Sequence, residues 1–94
     1  TLEKTSYHSW AVIGAVNGTE WDTDFEMEIQ DDGKTFKLAD FALKAGEEFK
    51  VRQGHNWDNN YGKDGVAGGD NIVVDADGTY TIVFDSETGM ITLE

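Results

Sequence analysis

The sequence predicts an all-β fold, an immunoglobulin-like sandwich of two antiparallel β-sheets with about seven strands. Eleven glycines and repeated Asp-Gly turns divide the chain into short runs at the spacing of such a sandwich. Several runs alternate apolar and polar side chains, as half-buried strands do, and none has the periodicity of an amphipathic helix. Because each strand then has one apolar face to bury, two sheets that cover each other are the favoured architecture. A small barrel is the alternative.

The second predicted strand shows the alternation most clearly. Phe25, Met27 and Ile29 share one of its faces, and two glutamates take the other. This pattern predicts one half-buried strand. The first three strands are expected at residues 10–13, 25–29 and 35–38, the last of them with a continuation to residue 43 as an option.

The fourth strand, residues 48–52, turns Phe49 and Val51 inward and leaves Lys50 and Arg52 together on the opposite face. The preceding Lys-Ala-Gly-Glu segment is predicted to be the turn of a hairpin, because its glycine interrupts any helix there. The remaining strands are expected at residues 71–74, 80–84 and 90–93, with a turn at 86–89 leading into the last one.

Length and charge limit the function. The 94 residues suffice for a single domain, residues 1–94, with one hydrophobic core. The formal net charge of -12 repels phosphate backbones and anionic lipid, so a neutral ligand is favoured and nucleic acid is not. Cysteine is absent, and no apolar run approaches the roughly 20 residues of a membrane span. We therefore expect an excised module, monomeric in isolation, without membrane insertion and without a cofactor.

The longest irregular stretch, residues 54–70, contains two large aromatics among polar residues, Trp57 and Tyr61, with Asn60 between them. Long loops in small domains are more often functional than structural. A sugar ring stacks its C–H face on an indole, and its hydroxyls need amide or charged partners. This composition favours carbohydrate binding. The alternative is that Trp57 plugs one end of the sandwich and the asparagines only form turns.

Two other tryptophans differ in their surroundings. Trp21 lies in a turn-rich connection between the first two strands, which favours exposure. Trp10 shares a strand face with Val12, so core packing is its favoured interpretation, and it is the third aromatic candidate for sugar binding. Lys50 and Arg52 lie just before the long loop, where they can donate to sugar hydroxyls or simply remain solvated.

Five segments taken in order resemble a known family: Trp-Ala-Val-Ile-Gly at 10–14, Gly-Thr-Glu-Trp-Asp at 18–22, the Lys-Ala-Gly-Glu turn and following strand at 43–52, Asn-Trp-Asp-Asn-Asn-Tyr-Gly at 56–62, and Gly-Asp-Asn-Ile at 69–72. The chain resembles the starch-binding carbohydrate-binding modules of bacterial pullulanases and amylases, which are related to the domains of the SusE and SusF starch-binding proteins. The resemblance covers residue 10 to the C-terminus.

This resemblance implies an immunoglobulin-like sandwich that holds an α-1,4-glucan against paired tryptophans, here Trp21 and Trp57, with basic and amide side chains reaching the hydroxyls. The implied ligands are starch, amylopectin, pullulan or maltooligosaccharides, and the implied role is to anchor a larger extracellular or cell-surface protein to them. The chain departs from the family where relatives carry a longer, proline-containing segment before the first of these tryptophans.

Other functions are less well supported. His8 and His55 have no serine or cysteine signature around them, and with 19 acidic residues no carboxylate pair is specific, so we expect no enzyme and no catalytic residue. Residues 75–78 and 58–60 offer oxygen ligands, but neither completes an EF-hand loop, so no metal ligand is assigned. The alternative function is a structural or protein-interaction sandwich, with calcium as an optional stabiliser.

Overall fold

The computed structural model describes residues 10–94; the first nine residues, with His8, lie outside the described part. Two antiparallel sheets pack against each other, which confirms the predicted sandwich. The first sheet has the order β2-β1-β5-β6, with β7 also paired to β5, and the second has the order β3-β4-β8-β9. The strands are β1 Trp10–Ala15, β2 Phe25–Glu26, β3 Glu28–Ile29, β4 Thr35–Leu43, β5 Glu48–Gln53, β6 Asn60–Tyr61, β7 Ile72–Val73, β8 Gly78–Asp85 and β9 Ile91–Leu93.

Nine strands replace the expected seven because one expected strand is split and a short one lies in the long loop. The expected strand at 25–29 is divided at Met27, where the chain leaves the first sheet and enters the second. Met27 donates its N–H to the Trp10 carbonyl at 2.9 Å and buries its side chain in the core. The alternation therefore stops there, and Ile29, expected to be buried with Phe25, is 53% exposed.

Strand β4 continues to Leu43 and contains a bulge between Leu38 and Phe41. Asp40 takes a left-handed conformation at φ 55°, which inserts an extra residue into the strand. The bulge shifts the alternation by one position, so Phe36 before it and Phe41 after it both point into the core.

The Lys-Ala-Gly-Glu turn is confirmed, but its assignment to a hairpin is wrong. It joins β4 of the second sheet to β5 of the first, so it crosses the end of the sandwich. The Glu47 N–H donates to the Lys44 carbonyl at 3.0 Å, and Gly46 takes φ 90°. Val74 closes this end by exchanging hydrogen bonds with Gly46 and Glu47. The turn into the last strand does close a hairpin, between β8 and β9.

The core lies between the inner faces of the sheets. Phe49 and Val51 of β5 are fully buried, as the alternation predicts, and they face Ile82 and Phe84 of β8 in one apolar cluster. Phe84 is the centre of its aromatic part, with its ring centroid 4.5 Å from Trp10, 5.5 Å from Tyr61 and 6.4 Å from Phe36. Within residues 10–94, no helix has the length and hydropathy that crossing a membrane requires.

Truncation of Phe84 tests this description of the core. We expect Phe84→Ala to lower the free energy of unfolding by about 3–5 kcal/mol, because three aromatic neighbours would lose a shared partner and cannot collapse into the space. Urea unfolding followed by circular dichroism measures it. The control is Val73→Ala, since Val73 is 54% exposed; a similar loss in both variants would contradict the placement of the core.

Candidate functional site

The outer face of the first sheet is the side turned away from the core. Register pairs Ala11 with Arg52 and Ile13 with Lys50, and directly paired residues share a face. Ala11 and Ile13 are 1% and 0% exposed although they do not belong to the core cluster. This face is therefore covered by side chains, and two tryptophans lie on it.

Trp57 belongs to the tight loop between β5 and β6. Gly54 and His55 both take left-handed conformations, at φ 67° and 57°, which turn the chain sharply after β5. Asn56 accepts a hydrogen bond from the Asp58 N–H at 2.9 Å, and the Asn60 amide donates to the Trp57 carbonyl at 3.0 Å. These bonds fix the loop and leave the indole 46% exposed.

Trp21 approaches from the connection between β1 and β2. The backbone N–H of Trp21 donates to the Gly14 carbonyl at 3.0 Å, so the connection folds back on β1. Thr19 Oγ1 donates to the Val16 carbonyl at 2.8 Å and tightens the same turn. Trp21 adopts φ 63°, a left-handed conformation that is unfavourable for a bulky residue by about 1–3 kcal/mol. The half-buried indole is thereby brought beside Trp57.

The two indoles form what we call the tryptophan platform, defined as Trp21 and Trp57. Their ring centroids lie 6.1 Å apart and their planes are inclined by 46°. Because the rings are inclined, the platform is a bent surface rather than a flat one. The predicted pair is thus brought together by loops on two different strand connections.

Two cations support the platform from β5. The guanidinium carbon of Arg52 lies 4.8 Å from the centroid of the Trp57 ring, and Lys50 Nζ lies 5.9 Å from it. Both distances are within cation–π range, where attraction to the indole face contributes about 0.5–2 kcal/mol. Lys50 is only 9% exposed. Both side chains therefore hold the indole in place. They are not the freely solvated charges that the sequence left open as an alternative.

Arg52 is itself fixed by Asp24, which precedes β2. The guanidinium donates from Nε at 2.8 Å and from Nη2 at 2.6 Å to the two carboxylate oxygens, a bidentate pair. The hydrogen bond from Arg52 lowers the pKa of Asp24 below its ordinary value against the opposing effect of burial, and the charges of Arg52 and His55 lower it further. The same bond raises the pKa of Arg52. Asp24 is therefore ionised at neutral pH.

A second bridge joins the Trp57 loop to β2. His55 Nε2 contacts the Glu26 carboxylate, and both side chains are exposed. The loop is thus tied to β2 through His55 and Glu26. Beneath Trp57, the end of β5 is tied through Arg52 to Asp24, the residue before β2.

A cleft lies on the same loop, beside the platform. Its volume is about 370 Å³, and it is lined by Trp57, Asp58, Asn59, Asn60, Tyr61, Ala67 and Gly68. Asn60 Oδ1 is buried and has no hydrogen-bond partner within residues 10–94. A buried acceptor left without a donor costs about 1–3 kcal/mol, so this atom is an unmet acceptor close to the cleft.

The structure brings four of the predicted residues together and separates others from them. Trp21, Trp57, Lys50 and Arg52 form the platform and its support. Asn60 is paired with Arg52 on the outer face, next to the cleft.

Trp10 and Tyr61, the two other aromatics predicted to bind sugar, lie at the core rather than on the tryptophan platform. Trp10 is 7% exposed and packs in the core, its favoured interpretation. Tyr61 is paired with Val51, whose side chain points inward, and its ring lies 5.8 Å from Trp10. Tyr61 therefore packs mainly against the core, although it also lines the cleft.

Sequence reasoning missed Asp24 and Glu26 as parts of the site. Both are acidic residues at β2 that face basic partners at β5 and in its loop. The one signal was that the outward positions of β5 are both basic in an acidic chain, which favours acidic partners on the same face of the sheet. Strand order was needed to identify them.

Comparison with family models, curated proteins and solved structures finds no match to this chain. The resemblance to starch-binding modules therefore stays a prediction from the sequence. Among residues 10–94, no group of three or more His, Cys, Asp or Glu side chains is placed to hold a metal ion.

Asp24→Asn tests the bidentate pair. We expect the variant to lose about 1–2 kcal/mol of unfolding free energy at neutral pH, because Arg52 would lose a charged partner with two acceptor oxygens. Since the pKa of Asp24 is lowered in the folded chain, its contribution is complete above its unfolded pKa of about 4 and is lost as the pH falls through the folded value. The difference from wild type should therefore shrink below about pH 4.

Urea unfolding at pH 7 and pH 3, followed by circular dichroism, measures both effects. Glu87→Gln is the matched control, because it removes the carboxylate of an exposed pair with Lys34, and it should cause no measurable change. A pH-independent difference between wild type and Asp24→Asn would contradict the assigned ion pair.

Proposed function

We propose that this domain binds starch-type α-glucans on the tryptophan platform, without catalysis, and anchors a larger extracellular or cell-surface protein to the polysaccharide. The observation that carries the proposal is the exposed Trp57 indole held 6.1 Å from Trp21. A tryptophan that only stabilises the core would be buried, whereas a binding surface needs its aromatic rings exposed and close together.

The inclination of the two rings favours a curved glycan. Successive glucose units of an α-1,4-linked chain are inclined to one another, because the chain winds into a helix. A β-1,4-linked chain is an extended ribbon whose ring faces suit coplanar aromatics. Planes inclined by 46° therefore suit the curved chain better than the ribbon. Each stacked ring contributes on the order of 1 kcal/mol, so a single module binds weakly.

Charge supports a neutral ligand. The chain has a net charge of -12, while the cations at the site are already engaged, Arg52 by Asp24 and both Arg52 and Lys50 by the Trp57 ring. Arg52 and Lys50 are only slightly exposed beneath the Trp57 ring, so they offer little charge to an anionic ligand and instead hold the indole for stacking on a neutral sugar.

The carboxylates at the platform do not suit glycoside hydrolysis. A general acid needs a raised pKa so that it carries a proton at working pH. The pKa of Asp24 is instead lowered by its hydrogen bond with Arg52. Glu26 is engaged by His55. These contacts support a binding role for the site.

The alternative, a structural or protein-interaction sandwich, expects the indoles to pack in the core or in a partner interface. Trp10 fits the first expectation, but Trp21 and Trp57 lie outside the core cluster.

Weak binding by one module would be strengthened when the parent protein carries several, because linked modules bind at a high effective concentration.

Affinity electrophoresis in native gels tests the proposal. We expect the anionic wild type to be retarded by amylopectin and not by dextran or hydroxyethyl cellulose, which are α-1,6- and β-1,4-linked. Trp57→Ala should lower the affinity for amylopectin, measured from the retardation, by about tenfold or more. Loss of one stacked ring and of the sugar contacts around it removes about 1.4 kcal/mol of binding free energy. Trp21→Ala should act similarly.

The control is Ile29→Ala, which truncates an equally exposed apolar side chain on the second sheet, 53% exposed, and should migrate as wild type does. Circular dichroism verifies that each variant folds. Migration of the wild type that is indifferent to amylopectin would refute α-glucan binding and favour the protein-interaction alternative.

A further inference from the structure

The cleft beside the platform shares Trp57 with it. Trp57 contacts Trp21 within the platform and also lines the cleft, whereas Trp21 does not line it. Because Trp57 belongs to both, a chain stacked on this indole lies next to the cleft. Its volume of about 370 Å³ is at the small end of the range of about 300–1,000 Å³ found for ligand sites.

The walls of the cleft are held in place by the backbone. The Gly68 N–H donates to the Asn60 carbonyl at 3.0 Å, and Tyr61 and Ala67 form an isolated antiparallel bridge. Gly68 takes φ 68°, and a Cβ added there would meet no atom within 4 Å. The two loop segments that form the cleft are thus fixed to each other, and the space at Gly68 is open.

The lining suits an uncharged polyhydroxy ligand. Asp58, Asn59 and Asn60 supply amide and carboxylate groups that accept from hydroxyls or donate to them. Asn60 Oδ1 lacks a donor among the described residues. Asp58 is the one ionisable carboxylate in the lining, which is too few for a metal ion and disfavours an anion. The hydroxyl groups of a sugar both donate and accept, which matches the exposed carboxylate of Asp58 and the exposed amide of Asn59.

We propose that the cleft is a further subsite for a glucose unit of the same chain, so that affinity increases with chain length beyond what the tryptophan platform alone provides. This inference rests on the proposed α-glucan binding. The unit enters the cleft after the units stacked on the indoles, and its hydroxyls pair with the exposed side chains of Asp58 and Asn59. The site then selects longer maltooligosaccharides over maltose.

Isothermal titration calorimetry with maltose and maltohexaose tests the subsite. We expect wild type to bind maltohexaose about tenfold more tightly, in keeping with one further hydrogen-bonded unit. Ala67→Leu should fill the cleft and abolish most of that gain, while the affinity for maltose stays within about twofold. Ala42→Leu is the matched control, because Ala42 is exposed on β4 of the other sheet; it should retain the full gain.

A second variant covers the case in which Ala67→Leu does not fold. Asn59→Ala removes an amide from the lining without adding bulk, and it should reduce the gain by about two- to tenfold. The subsite would be refuted if wild type bound the two sugars with equal affinity, or if the variants kept the full gain in affinity for maltohexaose. It would also be refuted if the variants lost affinity equally for both sugars. Each of these outcomes would leave α-glucan binding intact. Binding of neither sugar by wild type would refute both proposals.

Discussion

Strand β5 alternates between the two sides of the first sheet, and both the core and the platform depend on that alternation. Its inward residues, Phe49 and Val51, are fully buried between the sheets. Its outward residues, Lys50 and Arg52, lie under the Trp57 ring. Because side chains alternate strictly along a strand, a shift of one residue in the pairing of β5 with β1 would turn two cations into the apolar core and a phenylalanine out of it. The burial of Phe49 therefore also fixes the position of the cations that support Trp57, and stability and the candidate site share one constraint.

The ion pair between Arg52 and Asp24 extends this constraint to the neighbouring elements. Asp24 precedes β2, so the pair connects the outer face of β5 to the strand on the far side of β1. The bidentate geometry fixes the plane of the guanidinium, whose central carbon lies 4.8 Å from the centroid of the Trp57 ring. Since the pKa of Asp24 is lowered, the pair persists at neutral and mildly acidic pH. Lysine in place of Arg52 would keep the charge but not the plane, so the support of the platform depends on more than charge.

Much of the fold could be predicted from alternation and turn chemistry, and the failures have local physical causes. The strand at 25–29 was expected to be continuous because alternation does not reveal which sheet a strand joins; the break at Met27 arises from pairing with Trp10. The turn at 44–47 was identified by its residues, but a turn sequence does not specify whether its strands pair with each other. At the site, residue type predicted the tryptophans and the basic pair. Asp24 could not be predicted, because its role exists only once β1 lies between β2 and β5.

Folding alone does not account for two features of the tryptophan platform. Trp21 adopts a left-handed backbone conformation that a smaller residue or glycine would adopt with less strain. Trp57 exposes 46% of its surface although burial of an indole stabilises a small domain strongly. Each feature lowers stability, and the two lie side by side with their rings 6.1 Å apart. Strain and exposed apolar surface that coincide at one place are typical of a binding site, where a ligand recovers the lost burial. Because the loop hydrogen bonds and Arg52 already hold Trp57 in position, stacking of the proposed ligand on this indole would cost little conformational entropy.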